Sequence, residues 1–262
     1  MTTDQVTITN AQRLCEMMNR HFNNRTPQER DRTMQVHLAQ ARGTRRNGDL
    51  LRHSIDVMLN IRANKSESKD STMTENVLIE TLSAVVLALE SESVPYAVTG
   101  SIASSVHGEP ITSLDVDLIV HASRSQAANL SEKLQPRFYA SADVLAEAAD
   151  RFTLINVIDN RTSFKVDLSF VPPTGYLREV LSRRVRQRIG STGPEFWFVT
   201  PEDIILMKLL WRKDTGSAKQ WDNALGVARV RGARMDWKYL FDTARELGIE
   251  GDLIKLRDEA GI

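Results

Sequence analysis

Tyr96–Val120 reads YAVTGSIASSVHGEPITSLDVDLIV, and this stretch decides the fold. A short apolar run, a Gly-Ser turn, a helical segment, a loop and a second apolar run follow one another, which predicts strand, helix and strand. Side chains two apart on a strand point to the same face. Asp115 and Asp117 therefore project together, while Val116, Leu118 and Val120 point to the opposite, apolar face. Adjacent carboxylates repel each other unless a cation lies between them, and Mg²⁺ held by oxygen ligands is the simplest relief.

A third acid lies on an alternating segment downstream. In Ser163–Phe170, Phe164, Val166, Leu168 and Phe170 form one face, and Ser163, Lys165, Asp167 and Ser169 the other. If this strand lies beside Asp115–Val120, Asp167 joins the pair. Three carboxylates on neighbouring strands can hold two divalent ions for in-line displacement at phosphorus. A D-x-D pair alone means little in a chain this acidic. Gly100-Ser101 adds weight, because backbone N–H groups at a helix start bind phosphate and glycine lets it approach closely.

This order of parts resembles the nucleotidyltransferase superfamily shared by polymerase-beta-like and minimal nucleotidyltransferases. Thr200-Pro-Glu-Asp-Ile-Ile-Leu-Met-Lys-Leu-Leu210 is similar to the corresponding helix of AbiEii-type bacterial proteins, and Ser217–Gly226 resembles the helix after it. Ile111 and Ser113 stand where members of the family often carry Arg and Thr, and Trp221 is followed directly by Asp222.

The resemblance implies an α+β fold: a mixed β-sheet with flanking helices, a helical C-terminal region and a helical N-terminal extension. It implies transfer of a nucleoside monophosphate from an NTP to an acceptor hydroxyl. Gly100 and Ser101 would hold the β- and γ-phosphates, and Asp115 and Asp117 would bind Mg²⁺. Asp167 would complete a second metal site and activate the hydroxyl. Lys208 would contact the triphosphate, and Asp222 would orient Lys208 or a substrate hydroxyl. The acceptor is open among a tRNA end, a protein hydroxyl and a small molecule. A toxin paired with an antitoxin-like partner is one reading, and a catalytically inactive binding or regulatory module with the same fold is the alternative.

Composition narrows the class further. The 262 residues suffice for one sizeable core or two small ones, and 41% hydrophobic with 26% charged residues marks a globular chain. A formal net charge of +0 supplies no global field for nucleic acid, so any such contact needs a local patch. The single cysteine, Cys15, excludes an intramolecular disulfide and suits a reducing cytoplasm. No apolar run reaches membrane-spanning length and no signal-peptide pattern opens the chain, so no membrane partner is expected.

Three regions are expected. Residues 1–72 form a helical extension ending in the polar linker Asn64–Thr72; residues 73–175 form the core; residues 176–262 form a mostly helical region. Thr26-Pro-Gln-Glu29 reads as a helix start, and Arg42, Arg45, Arg46 and Arg52 as a solvated basic face. Helices are expected from Thr74, over Ser125–Leu134 and over Ala142–Ala149. A hairpin is expected to join Phe152–Ile158 to Phe164–Phe170 across Asp159–Thr162. The five histidines lack metal-ligand spacing. Trp197, Trp211, Trp221 and Trp237 read as core.

Overall fold

The computed structural model describes residues 68–111, 115–135, 137–189 and 193–262. The expected N-terminal helices with their Arg-rich face, Cys15 and Ser113 lie outside the described residues. Nine helices and seven strands alternate through the described part. They are α1 (Ser68–Ser91), β1 (Tyr96–Val98), α2 (Gly100–His107), β2 (Asp115–Val120), α3 (Arg124–Leu134), β3 (Phe138–Tyr139), α4 (Ala142–Arg151) and β4 (Leu154–Asp159). Then come β5 (Lys165–Phe170), α5 (Tyr176–Arg183), β6 (Val185–Arg188), β7 (Glu195–Phe198), α6 (Pro201–Thr215), α7 (Ala218–Arg231), α8 (Trp237–Leu247) and α9 (Glu250–Ala260).

The strands form one mixed sheet in the order β3-β4-β5-β2-β1-β7-β6. Two parallel pairings matter most. β2 runs parallel to β5, with Asp117 opposite Asp167 and Asp115 opposite Lys165. β1 runs parallel to β7, with Val98 opposite Phe198. The central strands are apolar on both faces toward Val120 and Phe170: Leu118, Ile119, Val120 and Leu168 are fully buried, as a sheet covered on both sides requires. One helix group pairs α3 with α4 and α1 with α3. Another brings together α2, α6, α7, α8 and α9. No described helix is long and apolar enough to cross a membrane.

Local signals set several boundaries. Ser123 and Gln126 close a capping box at the start of α3. The β4–β5 hairpin forms as its alternation predicts, with Asn156 opposite Asp167. Asp159 holds its turn: the carboxylate accepts from the Arg161 N–H (2.9 Å), from Thr81 Oγ1 (3.1 Å) and from Arg137 (2.6 Å). The linker expected over Asn64–Thr72 is in part helix, because α1 reaches back to Ser68. That stretch contains neither Gly nor Pro, so nothing in it breaks a helix that the apolar residues downstream anchor.

The region after Tyr176 is mostly helical, but it also contributes β6 and β7 to the sheet. The Arg residues hid β6: Arg186 and Arg188 alternate with Val185 and Gln187 on an edge strand, where charge is expected. Arg184 and Arg186 lie over the half-buried Trp197 ring, 4.8 and 5.2 Å from its centroid.

Thr200 and Pro201 start α6 as the sequence predicts. Thr200 accepts from the Asp203 N–H at 3.1 Å. Asp203 itself is fully buried and ties three elements together. It accepts from Thr200 Oγ1 (2.8 Å), from Tyr239 OH on α8 (2.6 Å) and from Arg183 Nε at the end of α5 (3.3 Å). Burial pushes its carboxyl up, while the Tyr239 and Thr200 hydroxyls and Arg183 pull it back down. Replacing Asp203 by Ala strands these donors, and the expected loss is about 3 kcal/mol in urea unfolding. A loss below about 1 kcal/mol would mean that the carboxylate does not hold α5, α6 and α8 together.

Candidate active site

The site assembles where β1 ends and where β2 and β5 begin. β1 ends at Val98, and the Thr99 N–H donates to Asp117 O of β2 (2.9 Å). On the other side of β1, the Val199 N–H donates to Val98 O (3.0 Å). α2 and α6 therefore start side by side, from the ends of two parallel strands. His107 locks them together. Its Nε2–H donates to Val199 O (2.7 Å) and its Nδ1 accepts from Arg231 (3.1 Å). Burial lowers this imidazole to about 4, so it is neutral and its role is structural.

Gly100 turns the chain from β1 into α2 at φ +65. A Cβ there would fall 1.9 Å from Asp117 Oδ2, so the carboxylate rests on the bare glycine. Thr99 caps α2 by position, but its hydroxyl points to Met207 Sδ (3.6 Å), and among the described residues no side chain caps the first amides of the helix. Ser101 is buried next to them. Ser105 bonds both the N–H (2.9 Å) and the carbonyl (3.1 Å) of Ile111, tying the loop back onto α2.

The register puts the three acids on one face of the sheet, Asp117 beside Asp167 and Asp115 one pleat away. Their surroundings differ. Asp115 is exposed, Asp117 half-buried and Asp167 buried. Asp167 is held at both oxygens, by Asn156 at Oδ1 and by Lys165 Nζ at Oδ2 (3.2 Å). Lys165 also reaches Asp115 Oδ1 at 3.9 Å. Among the described residues, no donor hydrogen-bonds the Asp117 carboxylate. Burial first, and then repulsion from Asp167, push it up to about 6. Burial also raises Asp167, against the pull of Lys165.

Lys208 lies two turns into α6 and is 2% exposed. The fold buries this ammonium outright, where the plain expectation for a lysine on an apolar helix is that it snorkels to water. Its ammonium sits 4.9 Å from the Trp211 ring centroid. Burial lowers it to about 8, and the charge of Asp117 partly restores it. Asp222 is on the exposed face of α7; the charged groups acting on Lys208 are Asp117 and Lys219.

The residues suit a hard cation in one respect and resist it in another. Asp117 is a poorly solvated carboxylate with no donor among the described residues, beside two further acids, all with oxygen ligands. Yet Lys165 occupies the gap between Asp115 and Asp167. Among the described residues, no three His, Cys, Asp or Glu side chains are gathered closely enough to hold a metal as they stand. Sequence reading gave no role to Lys165 or Asn156. Lys165 could have been found from its phase, two residues before Asp167 on the same face. Asn156 needed the hairpin register.

No protein-family model matches the chain, and no curated protein matches it. Among solved structures it is similar to the antibiotic-resistance factor ANT(2'')-Ia in solution (11% identity, TM-score 0.44, covering 71% of this chain and 95% of that one). It is also similar to ANT(2'')-Ia in complex with adenylyl-2''-tobramycin (12%, TM-score 0.43, 64% and 96%). A third similar structure is an antigenic nucleotidyltransferase-like protein from Paracoccidioides brasiliensis (19%, TM-score 0.39, 69% and 92%).

Proposed function

We propose that this chain transfers a nucleoside monophosphate from an NTP to an acceptor hydroxyl and releases pyrophosphate. One observation carries the reading: Asp117 and Asp167 pair in register on the face that also bears Asp115, at the foot of a glycine-started helix. Mg²⁺ bound at this carboxylate face would neutralise charge on the reacting phosphate. The uncapped amides of α2 and the Ser101 hydroxyl are donors for the β- and γ-phosphates. Protonated Lys208 adds positive charge beside Asp117. Asp167, raised by burial, is suited to accept the proton of the acceptor hydroxyl. The acceptor is a tRNA end, a protein hydroxyl or a small molecule. The AbiEii-like helices Thr200–Leu210 and Ser217–Gly226 support the finer reading of a bacterial toxin that acts in the cytoplasm and has an antitoxin-like partner. Asp222, exposed on α7, would act there on the substrate.

A second reading, a binding module without catalysis, is favoured by Lys165 lying across two of the three acids. One experiment separates them. The full chain is incubated with each labelled NTP, Mg²⁺ and cell extract. Label on a discrete acceptor, lost with chelator, supports transfer. NTP binding in calorimetry without label from any of the four supports the module.

The pH profile of kcat/KM should be bell-shaped. The rising limb lies near pH 6, where Asp117 loses its proton, and the falling limb near pH 8, where Lys208 loses its own. A rate that keeps rising past the upper limb would remove protonated Lys208 from the mechanism.

A further inference from the structure

Lys165 faces Asp115 across the β2–β5 ladder and precedes Asp167 by two residues, so strand geometry places all three side chains on one face. Its ammonium is 3.2 Å from Asp167 Oδ2 and 3.9 Å from Asp115 Oδ1. Asn156 takes the other oxygen of Asp167. Two of the three acids thus share one ammonium that belongs to the chain. Asp117 has no such contact: among the described residues no donor hydrogen-bonds it, and a Cβ-less residue lies against it.

A divalent ion placed between Asp115 and Asp167 would have to evict Lys165 and meet its charge. One placed against Asp117 would meet a carboxylate that no described donor hydrogen-bonds; the charge of Lys208 acts on it, but among the described residues no ammonium is seated on it as Lys165 is on Asp167. Lys165 is 37% exposed along its side chain, so it can hold this bridge without full desolvation of its charge.

We propose that Lys165 is a positioning residue that stands in for a second divalent cation, so that the chain's own carboxylates hold one ion, at Asp117, rather than two. The inference rests on the metal-dependent reading above. It gives Asp167 a fixed orientation before substrate arrives, with Lys165 on one carboxylate oxygen and Asn156 on the other.

The test is a calorimetric titration of the full chain with Mn²⁺ alone, without nucleotide. The wild-type protein should bind one Mn²⁺. Lys165→Met, which keeps the length of the side chain without its charge, should bind two. Lys165→Arg should bind one. Asp117→Asn should weaken the single wild-type site at least about tenfold. Two Mn²⁺ in the wild type, or one in Lys165→Met with a normal melting curve, overturns the inference while leaving the transfer reading in place. No Mn²⁺ in either protein overturns the inference, and the labelling experiment above then decides the transfer reading on its own. If Lys165→Met does not fold, the count in Lys165→Gln decides on the same terms.

Discussion

Asp117→Asn is expected to abolish nucleotide transfer and, in metal-free buffer, to make the protein harder to unfold. The two effects have one cause. Burial and the neighbouring Asp167 push the Asp117 carboxyl up to about 6, so its charge is costly in the folded state and nearly free in the unfolded one. The folded state therefore holds more protons than the unfolded state between about pH 4 and pH 6. Stability falls as pH rises through that window, and the cost persists above it. Asn keeps the shape and removes the charge, so the gain at neutral pH is as much as about 3 kcal/mol, at about 1.4 kcal/mol per pKa unit. Lys208 loses a countercharge in the variant, which reduces the gain. The same charge is what draws a cation and steadies the transition state, and its removal should lower the rate at least about a hundredfold. Urea unfolding in chelator and single-turnover labelling measure the two effects. An ordinary structural acid predicts the reverse on stability, so a destabilised Asn variant, or one that transfers normally, would show that Asp117 is not a cation ligand.

The central part of this fold was legible because its signals are local and agree with one another. Alternation in Ser163–Phe170 predicts which face carries Asp167, and the Asp115–Val120 run predicts the same for its acids; the β2–β5 register then needs only that the strands be neighbours. Thr200-Pro201 predicts the start of α6 to the residue. What the sequence did not reveal depends on contacts between distant segments. β6 hides behind Arg186 and Arg188 because an edge strand tolerates charge that a central strand rejects. Asp203 reads locally as a helix-start acid; that it also receives Tyr239 from α8 follows only from helix packing. Lys165 lies on a face that was read correctly, yet its bridge to Asp115 exists only once β2 lies alongside. Burial of Lys208 came from α6 being enclosed, which its apolar neighbours Met207 and Leu209 favour but do not dictate.

Gly100→Ala should be severely damaging to both stability and transfer. At φ +65 any L residue carries left-handed backbone strain of about 1–2 kcal/mol. Gly216, at φ +64, isolates that term: a Cβ there meets nothing within 4 Å, so Gly216→Ala should lose only this much stability and keep its activity. At Gly100 the new Cβ would also lie 1.9 Å from Asp117 Oδ2, 2.5 Å from its Cγ and 2.8 Å from its Cβ. No rotation of Asp117 relieves the last of these, because Cβ is fixed by the strand. β2 and the start of α2 must part, and the amides that would meet phosphate part with them. The transfer rate should fall at least about a hundredfold, since a shift of about 1 Å in reacting groups suffices for that. Ser101→Ala provides the opposite control: its backbone N–H remains, and NTP affinity should fall by less than about tenfold. Urea unfolding, calorimetry with NTP and labelling of the three variants give the comparison. If Gly100→Ala matches Gly216→Ala in all three, the contact between this turn and Asp117 has no part in the site, and the phosphate-binding role of α2 goes with it.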